Sequence, residues 1–405
     1  MKVLLVHNSY QQRGGEETAV DSELSLLRGR GNQAELLQVS NDRIRGTRRV
    51  LASGLRAVYS RPSVRTVAAA VEDFRPDVVH VHNFFPLLSP SIYYAARRRG
   101  AAVVQTLHNY RLLCPNGLFF RQGRSCESCA GRIFAWPGVA RGCYRGSRVA
   151  TAAAAAMVSV HSVVGTWTRA VDAYIALTRF AKDKFVECGF PEKQITVKPN
   201  FVDPDPGAGD GAGGYALYVG RLSQEKGIGV MLRAWNRLVG KLPLYIVGSG
   251  PLEGLVREQV GTIPGLSYLG RKPRADVLDI MGNAAVLIFP SECYEGMPTS
   301  IAEALAKGTP VIAAKLGAMS TLVEHGRTGL HFRPGDEFDL VAKVEWALSR
   351  RSELQRMRRH ARAEYEAKYT AEKNYQLLMG IYERAIAQRP AGEMMATRAT
   401  SLRLT

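Results

Sequence analysis

Short apolar runs, each stopped by a loop and followed by a helical segment, recur along the whole chain. MKVLLVHNS opens the series. AELLQVS, PDVVHVHN, AAVVQTLHN and VDAYIALT continue it, and YALYVGRL, LYIVGSGP, LSYLGRK and AAVLIFP follow in the second half. Runs rich in Val, Ile and Leu, without polar alternation, read as strands buried on both faces. Strands of that kind separated by helices belong to parallel sheets with crossover connections. The expected class is α/β. With 405 residues, 46% of them hydrophobic, the chain can build two compact cores. The Pro/Gly/Asp-rich stretch DPDPGAGDGAGG marks a flexible linker between them.

The stretch 289–308, FPSECYEGMPTSIAEALAKG, concentrates the chemistry. A buried strand ends at Pro290 and Ser291. A loop carries Glu295, Gly296, Met297 and Pro298, and a helix starting near Thr299 or Ser300 runs to a glycine stop at Gly308. Free amides and the positive helix end make such a loop an anion site in outline. Glu295 and Glu303, eight positions apart, are placed to touch two parts of one elongated ligand. Solvated surface charge is the plainer alternative. Other strand ends carry similar loops. Gly14 and Gly15 follow the first strand, and GRLSQEKG places Arg221 and Lys226 on either side of a tight turn. Gly248 follows LYIV, and Arg271 and Lys272 follow LSYLG. His80, His82 and His108 stand at strand ends, where ligands gather in parallel sheets.

EGMPTSIAEALAKGTPVIA resembles the E-x7-E region of retaining GT-B glycosyltransferases of the family called GT4. RGGEE, TLHNY and GRLSQEKG resemble that family's other elements, most closely over 220–334. The resemblance implies two Rossmann-like domains facing a central cleft, with a C-terminal helix crossing back to the N-terminal domain. The expected boundaries are an acceptor-side domain at 1–202 and a linker at 203–214. A nucleotide-sugar-binding domain at 215–370, a crossing helix at 371–389 and a disordered tail at 390–405 follow. The implied catalytic set is Glu295 on the sugar, Arg221 and Lys226 on the diphosphate, and His108 on the sugar from the first domain. The implied donor contacts are Gly14, Gly15, Gly248, Arg271, Gly296, Met297, Pro298, Thr299 and, on the ribose, Glu303. No catalytic metal is implied. Asp203 and Asp205 have the D-x-D form that some other glycosyltransferases use for Mn²⁺, but they lie in the linker. Thr321 stands where relatives often carry a glutamate, which leaves donor choice open. The implied reaction is retaining transfer from a UDP- or GDP-sugar to a saccharide or lipid-linked acceptor, in cell-envelope polysaccharide synthesis. A GT-B epimerase or phosphorylase, or a basic nucleic-acid-binding protein, are the alternatives.

Four cysteines, Cys114, Cys126, Cys129 and Cys143, fall in a loop-rich insertion at 110–147. They suggest a structural zinc site, or else four ordinary thiols. Phe119, Phe120, Phe134 and Trp136 share that insertion and read as a satellite core or an acceptor face. The net charge of +18 attracts polyanions. Arg43, Arg45, Arg48, Arg49, Arg56, Arg61, Arg65, Arg97, Arg98 and Arg99 come without any nucleic-acid-binding motif, which favours an anionic membrane surface. The first residues read as a strand and not as a signal peptide, and the alanine-rich 150–167 stretch reads as a packed helix. A cytoplasmic protein at the inner membrane face is expected.

Overall fold

The computed structural model describes residues 1–9, 14–40 and 56–389. Residues 10–13, Arg43, Arg45, Arg48, Arg49 and the expected tail at 390–405 lie outside the described residues. The chain forms two compact units. One comprises Met1–Gly117, Glu127–Lys198 and the chain from Tyr375. The other comprises Leu118–Cys126 and Pro199–Asn374.

The strands in chain order are β1 (Lys2–Ser9), β2 (Gln33–Ser40), β3 (Val78–Asn83), β4 (Ala102–Leu107), β5 (Phe120–Arg121), β6 (Arg124–Ser125), β7 (Ala173–Ala176) and β8 (Ile195–Val197). They continue with β9 (Ala216–Val219), β10 (Leu244–Val247), β11 (Leu266–Gly270), β12 (Val286–Phe289), β13 (Val311–Ala314) and β14 (Gly329–Phe332). The first unit holds a parallel sheet in the order β2-β1-β3-β4-β7-β8. Every residue of β3 and β4 is buried, as central strands covered on both faces require. β5 and β6 form a two-stranded antiparallel hairpin that groups with the second unit.

The second unit's sheet runs β11-β10-β9-β12-β13-β14, also parallel. Ile246, Val286, Ile288 and Phe332 build its core with Trp235, whose indole N–H donates to the Leu242 carbonyl at 2.9 Å. β9 lies between β10 and β12, so the winding reverses beside it. Loops at such a reversal splay apart and leave a crevice at the strand ends. Glycine fixes those loops. A Cβ on Gly248 (φ +143°) would stand 1.8 Å from the Gly220 carbonyl, and one on Gly227 (φ +71°) 1.9 Å from the Pro290 carbonyl. The Gly220 and Leu222 amides donate to Val247 and Ser249, and that of Glu292 donates to Glu225. The loops after β9, β10 and β12 are thus closed on one another backbone to backbone.

The glycine-rich stretch at 203–214 is not a flexible linker. The amides of Gly209, Gly211 and Gly213 donate to the carbonyls of Lys307, Gly282 and Asn283 at 2.9–3.0 Å. A Cβ on Gly209 would fall 2.2 Å from the Gly282 carbonyl oxygen. Asp205 is held by the Arg362 guanidinium at 2.6 and 2.7 Å, so it stands in an ion pair. The buried Arg358 donates to the carbonyls of Gly282 and Ala284 beneath the stretch. Glycine serves here for close approach of two backbones.

Replacing Gly227 by Ala forces both a left-handed backbone and a collision with Pro290. It is expected to cost about 2–4 kcal/mol, read as a lower urea midpoint at unchanged slope.

Candidate functional site

The loop after β12 meets the loop after β9 through one ion pair. Lys226 Nζ lies 2.6 Å from Glu295 Oε1. The same oxygen accepts from Ser291 Oγ at 2.7 Å and from Cys293 Sγ at 3.7 Å. Burial works against the charge on Lys226, but the Glu295 carboxylate outweighs it and raises the lysine's pKa. Burial, helped by Glu295, pushes the Cys293 thiol well above its usual range, so it stays a donor. Arg221 is exposed and shares its loop with Lys226. Its carbonyl accepts from Tyr218 Oη at 2.8 Å, which fixes the turn.

The second acid has a different cation. Glu303 lies on the helix Thr299–Ala306 and accepts from Arg274 Nε at 2.9 Å. Burial raises the Glu303 pKa, and Arg274 offsets part of that. Sequence reading named Arg271 and Lys272 near this edge, but both are exposed. Arg274, at the start of the helix Arg274–Asn283, is the residue that reaches the acid. Met297 is buried and pinned, with its sulfur and its carbonyl accepting from Asn200. Gly296, Pro298 and Thr299 form the approach to the helix start. Thr321 bonds back to the Ala318 carbonyl of its own short helix. The β5–β6 segment joins this loop: the Tyr294 amide donates to the Leu118 carbonyl at 3.1 Å, and Phe119 packs on Tyr294 with ring centroids 5.4 Å apart. Phe119 is therefore core, whereas Phe134 and Trp136 are exposed. Two lysine or arginine heads, a helix start and glycine-closed loops at a strand reversal suit a phosphate-bearing ligand. The carboxylates suit its hydroxyls.

The first unit buries a cluster that sequence reading found only in part. Gly14 and Gly15 begin the helix Gly15–Gly29, where the Gly14 amide donates to Glu17 at 2.8 Å. Two turns into that helix, Glu23 pairs with Lys198 at 2.8 Å and with His80 Nδ1 at 2.9 Å. His80 also bonds Tyr382 and Thr106, each at 2.8 Å. His82 Nε2 is 3.4 Å from Glu23, and its Nδ1 is 2.9 Å from His108 Nε2. Burial opposes the charge on Glu23. Lys198 and His80 outweigh it and hold the carboxyl well below the ordinary range. Burial and the neighbouring His80 lower His82 to about 4, and burial with His82 depresses His108. The sequence signal for Glu23 was available. It interrupts the apolar stripe of Val20, Leu26 and Leu27, on a helix face that must be buried.

Among the described residues, the acceptor atoms of Glu23, His80 and His82 lie within 4.8 Å of one another, a spacing that suits a metal ion. Lys198 already supplies positive charge to that carboxylate. Of the cysteines expected to hold zinc, Cys114 donates to Asn116 at 3.0 Å and Cys129 to the Ala135 carbonyl at 3.9 Å. Cys114, Cys129 and Cys188 border a cavity of about 210 Å³ lined by first-unit residues.

Residues 13–206 match the family model described as Glycosyltransferase Family 4, and residues 213–350 match that described as Glycosyl transferases group 1. The chain is 26% identical over 306 residues to a glycogen synthase of Mycobacterium tuberculosis, which covers 71% of this chain and 64% of that protein. It therefore spans under two thirds of that relative. A phosphatidyl-myo-inositol mannosyltransferase of the same organism is 35% identical over 156 residues, 36% of this chain and 41% of that protein. HepE of Anabaena, solved in complex with UDP, superposes with a TM-score of 0.68 at 17% identity. The match covers 95% of this chain and 100% of that one. That likeness identifies the fold as GT-B.

Lys198→Met, which strands a buried carboxylate, is expected to cost about 3–5 kcal/mol in urea unfolding. The double change Glu23→Gln with Lys198→Met should recover much of that loss, since no unpaired charge then stays buried.

Proposed function

The chain belongs to the group 1, family 4 glycosyltransferases, and on that premise we propose that it moves a sugar from a nucleotide-sugar donor to a saccharide or lipid-linked acceptor. We further propose that anomeric configuration is retained and that the product enters cell-envelope polysaccharide. The observation that carries this reading is the Lys226–Glu295 pair, set at the strand reversal with Arg221 in the same loop.

Cleaving the bond between the sugar's anomeric carbon and the diphosphate oxygen sends its electron pair, and a full negative charge, to the departing nucleotide. Arg221 and Lys226 meet that charge. Fixed cations in a partly dry site stabilise it more in the transition state than in the ground state. The pairing with Glu295 favours the charged form of Lys226. Glu295 then orients the sugar hydroxyls while Ser291 and Cys293 hold its carboxylate in place. Glu303, steadied by Arg274, takes the ribose hydroxyls. The acceptor hydroxyl forms the new bond on the face the diphosphate leaves, and its proton passes to the leaving oxygen. No enzyme nucleophile enters that sequence. UDP in the HepE structure makes UDP-sugars the first donors to test.

Turnover of a UDP- and GDP-sugar panel should identify a donor that also raises the melting temperature. A ligand at a hundred times its Kd adds about 2.7 kcal/mol of stability. With that donor, Glu295→Ala and Lys226→Ala are each expected to lower kcat by about 10²–10³-fold. Full turnover in both variants would remove the site from the reaction.

A further inference from the structure

We propose that a face of the first unit, built from residues 132–169, seats the protein on an anionic lipid bilayer. The starting observation is the helix Arg148–Val163, RVATAAAAAMVSVHSV. Beyond Arg148 and His161 it carries no ionisable side chain, and so apolar a helix is normally enclosed. This one is not. Its Thr151, Ala154, Ala155, Met157 and His161 are buried, while Val149, Val160 and Val163 are exposed by 57%, 43% and 76%. Spacings of eleven and three residues put those valines on one helical face. Alanines 152, 153 and 156 fill the stripe between them, and Ser159 at its edge turns its hydroxyl to the carbonyls of Ala155 and Ile133.

The insertion extends the apolar face. Ser159 Oγ donates to the Ile133 carbonyl and ties the two segments together. Ile133, Phe134 and Trp136 are themselves exposed, Ile133 by 74%. The short helix Trp136–Arg141 starts here and packs along Arg148–Val163.

Charge decides what covers the face. No Asp or Glu occurs between Ser128 and Val171, whereas Arg132, Arg141, Arg145, Arg148 and Arg169 all do, and all five are exposed. Arg132 stacks over the Trp136 ring at 5.8 Å. An apolar strip with an aromatic residue, in a segment rich in exposed arginine and free of acid, matches the boundary between acyl chains and anionic headgroups. A second copy is a poor fit, because two such faces would bring ten arginines together. No described helix is long and apolar enough to cross a membrane, so the face lies on the bilayer. Arg97 and Arg99 are engaged elsewhere: Arg97 pairs with Asp172 and Arg99 with Glu72. The proposal is independent of the transferase reading.

The test is co-sedimentation of the full chain with phosphatidylcholine vesicles, with and without phosphatidylglycerol. Wild type should sediment with the mixed vesicles and remain in solution with the neutral ones. Arg145→Glu with Arg148→Glu, and separately Ile133→Ser with Trp136→Ser, should each lower partitioning by at least about tenfold, since one surface charge alone is worth about fivefold. Arg61→Glu with Arg65→Glu should leave it within about twofold. Melting curves verify that each variant folds. Brominated lipid offers a reading without substitution: it should quench wild-type tryptophan fluorescence through Trp136. Wild-type binding to neutral vesicles, patch variants that bind normally, loss of binding only in the Arg61 and Arg65 variant, or no quenching would each overturn the proposal. So would lipid-free self-association that Ile133→Ser disperses.

Discussion

The second unit depends on backbone meeting backbone at the ends of β10, β9 and β12. Gly248 presses on the Gly220 carbonyl and Gly227 on that of Pro290, at separations no side chain permits. This closure sets the height at which Lys226 leaves its loop, and hence its contact with Glu295. It also accounts for glycine where a helix or strand would disfavour it. The charged groups are added to a frame whose geometry is already determined.

Each unit holds a lysine–glutamate pair, and the two pairs differ in kind. Glu23 and Lys198 are enclosed, with His80 beside the carboxylate and Tyr382 bonded to His80. Such a pair is held by its surroundings and is costly to break from one side. Lys226 and Glu295 are partly open, with side-chain exposures of 24% and 11%. A half-open pair can exchange one partner for an incoming phosphate or hydroxyl without leaving a charge stranded. That difference suits one pair to architecture and the other to a ligand.

Much of this was legible in the amino-acid order. The parallel sheets followed from unbroken apolar runs, and the Thr299–Ala306 helix from its loop and glycine stop. Lys226 and Glu295 were both marked by motif. Their direct contact was not, because it depends on two loops remote in sequence. Arg274 was missed for the same reason: three positions from Arg271, it starts a helix that turns it toward Glu303. Cysteine spacing, by itself, says nothing about where thiols point. Glu23 was overlooked although its place in an apolar stripe announced a buried charge.

The stretch at 203–214 shows most clearly how composition deceives, and it carries a consequence of its own. Its three amide donors come from alternate residues, Gly209, Gly211 and Gly213. Adding or deleting one residue among them would rotate every later N–H to the opposite side, as a slipped register does in a sheet. Homologues should therefore conserve the length of this segment more strictly than its letters, and any natural indel there should come in steps of two.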